Sequence, residues 1–178
     1  MLYQLLIINK AGGLVYQHIF PQTRAGGTSA ASPSPNSNDF LMLAGTFHSI
    51  HALVAQFSPV ADSSGLRVLE SSHFTLFCFQ APTGTKFLLV TIPLSGLQSA
   101  SSVISHHVTQ TGRTVPTSLH SGPPNLHAVA TAAWREIYLA YGAFVARDPF
   151  HVPEMPIRCS RFDAAVSRIG QRASSGIY

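Results

Sequence analysis

The sequence predicts a single α/β domain built on an antiparallel sheet with helices against both faces. Three observations carry that prediction. Apolar runs of strand length come in succession, joined by short turns containing Gly or Pro, which is how antiparallel neighbours connect. Two longer segments repeat their apolar residues at helical spacing. The chain has 178 residues, the length of one domain and enough to bury a real core.

The elements follow in order. Leu2 to Asn9 is a continuous apolar run, as in a strand buried on both faces. Gly12 and Gly13 then supply the positive φ angles of a tight hairpin, and Leu14 to Phe20 returns as its second strand. Residues 21–37 are rich in Gly, Ser, Ala and Pro and are expected to be a flexible insertion. Ser37 or Asn38 is expected to cap a helix that has Asp39 in its first turn and Pro59 at its end. Its predicted buried stripe is Phe40, Leu43, Phe47, Ile50, Val54 and Phe57. Leu41, Met42 and Leu53 fall off that stripe, so the helix is either sunk in the core or offers a second face to a partner.

Three strands are expected next, over Leu66–Ser71, His73–Gln80 and Lys86–Ile92, with Pro82–Gly84 as a turn. Residues 93–124 are poor in periodic apolar residues and are expected to be a second flexible insertion, with a short helical stretch near Leu97–Val108. Asn125 is expected to cap a helix from Leu126 to about Ala146. Its predicted face is Val129, Ala133, Ile137, Tyr141 and Phe144, widened by Trp134, Tyr138 and Val145, with Asp148-Pro149 ending it. Glu154–Ile157 reads as extended. Phe162–Ala173 reads as a last helix with Phe162, Val166 and Ile169 inward and Arg161, Arg168 and Arg172 outward.

Charged residues make up 10% of the chain, against about 25% in ordinary globular proteins. A surface so poor in charge fits a protein whose faces are covered by partners; solvation by Ser, Thr, Gln and His is the alternative. The net charge is +4, but the basic residues form no dense stripe, so no nucleic-acid partner is expected. Cys78 and Cys159 make neither a disulfide framework nor a metal spacing. The first apolar run lacks a basic leader and a cleavage site and is too short to span a bilayer, so a cytoplasmic, reduced setting is expected.

Chemistry is sparse. The seven acidic residues form no readable acid–base pair, and no nucleophile elbow or phosphate loop occurs. Of nine histidines, His48 and His51 stand three apart on a helix, a spacing that can place two metal ligands together, yet no third ligand stands beside them. No catalytic residue, cofactor or metal is expected.

Several blocks stand out along the chain: Asn9–Tyr16 (NKAGGLVY), Ala44–Ile50 (AGTFHSI), Gln56–Pro59 (QFSP), Ser63–Glu70 (SSGLRVLE), Phe74–Gln80 (FTLFCFQ) and Thr83–Phe87 (TGTKF). Asp148–Phe150 followed by Glu154–Asp163 (EMPIRCSRFD) is the most specific. The blocks run in order outside the two insertions, and together they resemble the sybindin-like subunits of the TRAPP vesicle-tethering complex. Animal members carry a folded, PDZ-like insertion after the second strand, where this sequence has only 21–37.

The resemblance implies a longin-like domain: five antiparallel strands, one helix on one face and two on the other, over residues 1–178. It also implies a non-catalytic scaffold within TRAPP, forming part of the platform on which a Rab-type GTPase exchanges nucleotide in ER-to-Golgi traffic. The implied partners are a second sybindin-like longin subunit, a palmitoylated α/β-fold subunit and the GTPase, with peripheral placement at Golgi and ER membranes. Glu154, Met155, Pro156, Ile157, Arg158 and Arg161 are the first candidate contact for a partner subunit or the GTPase. The competing role is that Met155 and Ile157 lock the last helix onto the sheet. His48, His51 and Gln56 are a second candidate patch. Two rivals stand beside this reading. One is another longin module, such as a sedlin-like subunit, an adaptor small chain or a SNARE N-terminal domain. A SNARE would also need a heptad helix and an anchor, neither of which is read here. The other is a small enzyme using Cys159 or His48.

Overall fold

The computed structural model describes residues 2–21, 36–59, 65–92 and 124–174. The elements are β1 (Leu2–Ile8), β2 (Leu14–Ile19), α1 (Ser37–Phe57), β3 (Val68–Glu70), β4 (Thr75–Gln80), β5 (Lys86–Thr91), α2 (Pro124–Phe144) and α3 (Ser160–Ser174). This is the predicted order. Most of the 21–37 and 93–124 insertions, with the short helix expected near Leu97–Val108, lies outside the described residues.

All five strands form one sheet in the order β2-β1-β5-β4-β3, and every neighbouring pair is antiparallel. The two hairpin turns close as their glycines require. Gly12 sits at φ +93° and Gly84 at φ +83°, angles a β-carbon would strain. Asn9 braces the first turn: its Oδ1 accepts the Gly13 N–H at 2.7 Å.

β1 and β5 are covered on both faces, which is why they read as unbroken apolar runs. Successive side chains point to opposite faces. Leu6, Ile8 and Leu88 face α1 with Phe40, Ala44 and Phe47. Leu5, Ile7, Phe87 and Leu89 face α2 and α3 with Ala133, Ile137, Phe162 and Val166. One helix therefore covers one face and two cover the other, the layering expected of a longin-like domain.

Several details differ from the sequence expectation. In the first turn Gly12 takes the positive φ and Gly13 does not. Glu154 and Met155 lie in a turn rather than an extended stretch. On α2, Ala133 and Ile137 are buried as expected, but Tyr138 and Phe144 are exposed and Ala130 is buried instead. The α1 cap is Asn36, one or two residues earlier than expected, and the Asp39 carboxylate accepts its N–H at 3.0 Å. The buried α1 stripe is Phe40, Ala44, Phe47 and His51; Leu43, Ile50 and Phe57 point outward. The helix has apolar residues nearly all round, so periodicity could not choose the face, and the small Ala44 lets this one approach the sheet. α2 begins at Pro124 rather than after a cap at Asn125; proline suits a first turn because no N–H is needed there. The expected α3 stripe is buried, joined by Gly170 and Ala173. Gly170 is where α3 meets Phe20 so closely that an added β-carbon would lie 2.1 Å from its ring.

Candidate protein-interaction surface

The residues that could carry chemistry are used for packing. Burial pushes the Cys78 thiol up to about 12, far from a reactive thiolate. Cys159 directs its Sγ toward the Phe144 carbonyl at 3.9 Å. His51 is buried between α1 and the β3–β4 edge, with Nδ1 3.3 Å from the Leu66 carbonyl and Nε2 3.0 Å from Gln80 Oε1. Its ring also fills the space over Gly65, where a β-carbon would lie 2.9 Å away. His48 is half-buried over Gly12, with Nδ1 3.5 Å from Lys86 Nζ. Burial, followed by the Lys86 charge, holds the His48 pKa below its ordinary value. Among the described residues no group of three His, Cys, Asp or Glu side chains is placed to hold a metal.

What the surface does offer is apolar area. α1 turns Leu41, Met42, Leu43, Ile50, Leu53 and Phe57 outward, with Met42 66% and Phe57 82% exposed. By length and composition α1 could cross a membrane. Its other face closes the core over Leu6, Ile8 and Leu88, so here it is a sheet-bound helix with a second apolar face. Exposed apolar residues in such a group make this face a candidate interaction surface.

The segment between α2 and α3 offers a second patch. Asp148 organises it: its Oδ1 accepts the Phe150 N–H at 3.0 Å and its carbonyl accepts the His151 N–H at 3.1 Å. The Val152 carbonyl accepts the Met155 N–H, and the Ile157 N–H donates to the Val15 carbonyl at 2.8 Å. Three prolines, Pro149, Pro153 and Pro156, stiffen the same stretch. The result is an ordered loop that holds Phe150 91% exposed, with Val152 and Met155 also outward.

The sequence-predicted residues divide accordingly. Glu154, Met155, Pro156, Arg158 and Arg161 are exposed and share this loop and the start of α3. Ile157 is 8% exposed and packs with Val15, Ile137 and Phe162 in the α2–α3 core. It is an anchor rather than a contact residue, because burying its side chain is what holds the loop to β2. Gln56 is exposed and His48 half-exposed, but His51 is buried and bonded inside the fold, so it too leaves the surface patch. The two candidate sets belong to opposite faces of the sheet. The β1–β2 hairpin joins them: Gly12 meets His48, and Val15 meets Ile157. Sequence reading missed Phe150 and Val152 as candidates. The signal was present in the Pro-spaced run Asp148–Pro156, which can present apolar residues but cannot bury them in a regular element.

An open groove of about 370 Å³ lies at the β3–β4 edge, lined by Val68, Phe77, Phe79, His127 and Trp134 among others. Phe79 and Trp134 stack along one side of it, and Trp134 stacks in turn on Tyr138, with centroids 4.9 and 5.6 Å apart.

Comparison with known proteins adds the following. The profile of the Sybindin-like family matches residues 2–110. The trafficking protein particle complex subunit 4 of Dictyostelium discoideum is 32% identical over 164 residues, covering 92% of this chain and 91% of that protein. The subunit 4 proteins of Bos taurus and Homo sapiens are 35% and 34% identical over 132 residues, covering 74% of this chain. This chain spans only 45% of the length of those two mammalian relatives. Among solved structures, the gliding protein MglB of Thermus thermophilus aligns with a TM-score of 0.37 at 15% identity, over 51% of this chain and 61% of its own.

Proposed function

This chain belongs to the sybindin-like family, and from that membership we propose that it works as a non-catalytic subunit of a trafficking protein particle (TRAPP) complex. Other subunits of that complex are its partners. In the finer reading these are a second sybindin-like longin subunit and a palmitoylated α/β-fold subunit. The assembly acts in ER-to-Golgi traffic at the cytoplasmic surface of Golgi and ER membranes. There the chain supplies part of the platform for a Rab-type GTPase during nucleotide exchange. Exchange opens the nucleotide site of the GTPase itself, so this chain contributes binding energy that favours the nucleotide-free state.

The observation that supports this reading best is the exposed apolar face of α1 on a helix whose opposite side is fully used by the sheet. A free monomer gains nothing from Met42, Leu53 and Phe57 in water; a subunit buries them. The Asp148–Pro156 loop has the second hallmark, an aromatic side chain held out rigidly.

The test is co-purification of the tagged chain from native membranes with identification of what it carries, followed by a GTPase nucleotide-exchange assay on the recovered complex. Recovery of the other TRAPP subunits is expected. A Glu154→Ala/Arg158→Ala variant is expected to weaken assembly or exchange. Unchanged assembly and exchange in that variant would remove the loop as a contact, and recovery of no TRAPP subunit would overturn the functional reading itself.

A further inference from the structure

Lys86 opens the central strand β5, between Ile8 on β1 and Gln80 on β4. It shares the α1 face of the sheet with Leu88 and is 5% exposed. An ammonium so far from water needs an anion or a full set of acceptors. Among the described residues it has neither. Among the described residues its Nζ has two hydrogen-bond neighbours, His48 Nδ1 and the Gly84 carbonyl, both at 3.5 Å, the outer limit of a hydrogen bond, and the Cys78 thiol stands near enough to act on its charge. No carboxylate among the described residues is within ion-pair distance of it. Burial accordingly pushes its pKa down from the ordinary lysine value. A second lysine borders the same turn: Lys10 is exposed, its β-carbon lies 3.0 Å from where Gly84 would carry one, and its long side chain can swing its charge toward the site.

We propose that Lys86, His48 and Lys10 form a socket for one carboxylate side chain of a neighbouring protein subunit. This rests on the reading of the chain as a subunit of an assembly and names the chemistry its partner must offer. The socket lies at the β1–β2 hairpin, which joins the α1 patch to the Phe150 loop, so a protein seated across both would cover it. A carboxylate there would give the ammonium a charge-assisted bond. The partner chemistry follows from the surroundings. α1 contains no Lys or Arg, and its single acid, Asp39, is at its first turn. An anionic lipid surface would call for a spread of basic residues. One buried cation beside an apolar face calls instead for an apolar protein surface bearing an isolated Asp or Glu.

The experiment uses the complex reconstituted from the other TRAPP subunits and this full-length chain, as wild type and as Lys86→Met. Methionine keeps the bulk of the side chain and removes the charge. The expected result has two parts. Thermal stability of the free variant equals or exceeds that of wild type, because an uncompensated buried charge is gone. Its affinity for the other subunits falls on the order of 30-fold or more, the usual loss when one member of a buried charge pair is removed. Zero-length carbodiimide cross-linking of the wild-type complex should join Lys86 or Lys10 to an Asp or Glu of a partner subunit. Undiminished assembly of K86M overturns the socket while leaving the subunit reading intact. Failure of the wild-type chain to join the other subunits overturns both. Inorganic phosphate that stabilises wild type but not K86M, with assembly unchanged, would make this a small-anion site and overturn the proposal.

Discussion

Tyr16 and His18 show how single side chains tie the second strand to the last helix. The Tyr16 hydroxyl donates to Asp163 Oδ1 at 2.8 Å, and the His18 ring lies 3.3 Å from the Ser167 hydroxyl while stacking on Tyr16 and meeting Phe20 edge to face. Burial holds the His18 pKa below its ordinary 6.5, only partly offset by the Asp163 charge, and His48 is held low on the other face. A base whose pKa is depressed on folding takes up its proton more readily when unfolded. Stability from these two residues is therefore intact above their ordinary pKa and lost as pH falls below it. The expected outcome is a urea midpoint that drops from about pH 7.5 to about pH 5.5, with a shallower drop in His18→Gln/His48→Gln. Equal slopes in variant and wild type would show that other groups set the dependence. At the alkaline end the sign reverses. Burial, then the hydrogen bond and charge of Asp163, raise the Tyr16 pKa above 10, so its contribution is present below that value and lost as pH rises through it.

α1 carries two apolar faces that do different things, and single truncations separate them. Phe47 is buried against Leu6, Leu76 and Leu88, so Phe47→Ala removes core volume and is expected to cost about 3–5 kcal/mol in chemical denaturation. Phe57 is 82% exposed, and Phe57→Ala is expected to change the free chain by no more than ~0.5 kcal/mol. The sequence-level stripe placed both residues inward, so similar losses for the two would restore that stripe and reject the observed one. α3 behaves as its sequence suggested because its polar and apolar faces are well separated, with Arg161, Arg168 and Arg172 outside. Arg172 pairs with Glu136 of α2 across the exposed helix–helix seam, a contact of small energetic weight.

The whole molecule combines a complete two-faced core with an outer surface that is short of charge. Exposed apolar residues gather on α1 and on the Asp148–Pro156 loop while the central strands stay fully covered. A chain of this kind in isolation should self-associate as its concentration rises. Met42→Gln/Leu53→Asn/Phe57→Ser is expected to keep the native fold by circular dichroism, to remain monomeric in size-exclusion chromatography at concentrations where wild type does not, and to lose assembly with the other subunits. A triple variant that assembles as well as wild type would place the interface elsewhere on the surface.

Strand order along the chain, the two tight hairpins and the inward face of α3 were all legible in the sequence. Each is a local matter: alternation, a glycine able to take positive φ, or a helix with one apolar side. The blocks at Asn9–Tyr16 and Glu154–Asp163 likewise carried the family without any coordinates. Contacts distant in sequence decided the rest. Which side of α1 is buried depends on where Leu6, Ile8 and Leu88 lie beneath it, since the helix itself is apolar nearly all round. Ile157 and His51 read as surface candidates until Val15 and Gln80 were seen to hold them inside. Phe150 became a candidate only when its loop proved braced yet uncovered. The sequence by itself determined the elements and the kinship of this protein, because both are written in local pattern. Only the tertiary structure decided which apolar residues close the core and which stay exposed, because burial belongs to the packed surface and not to the residue.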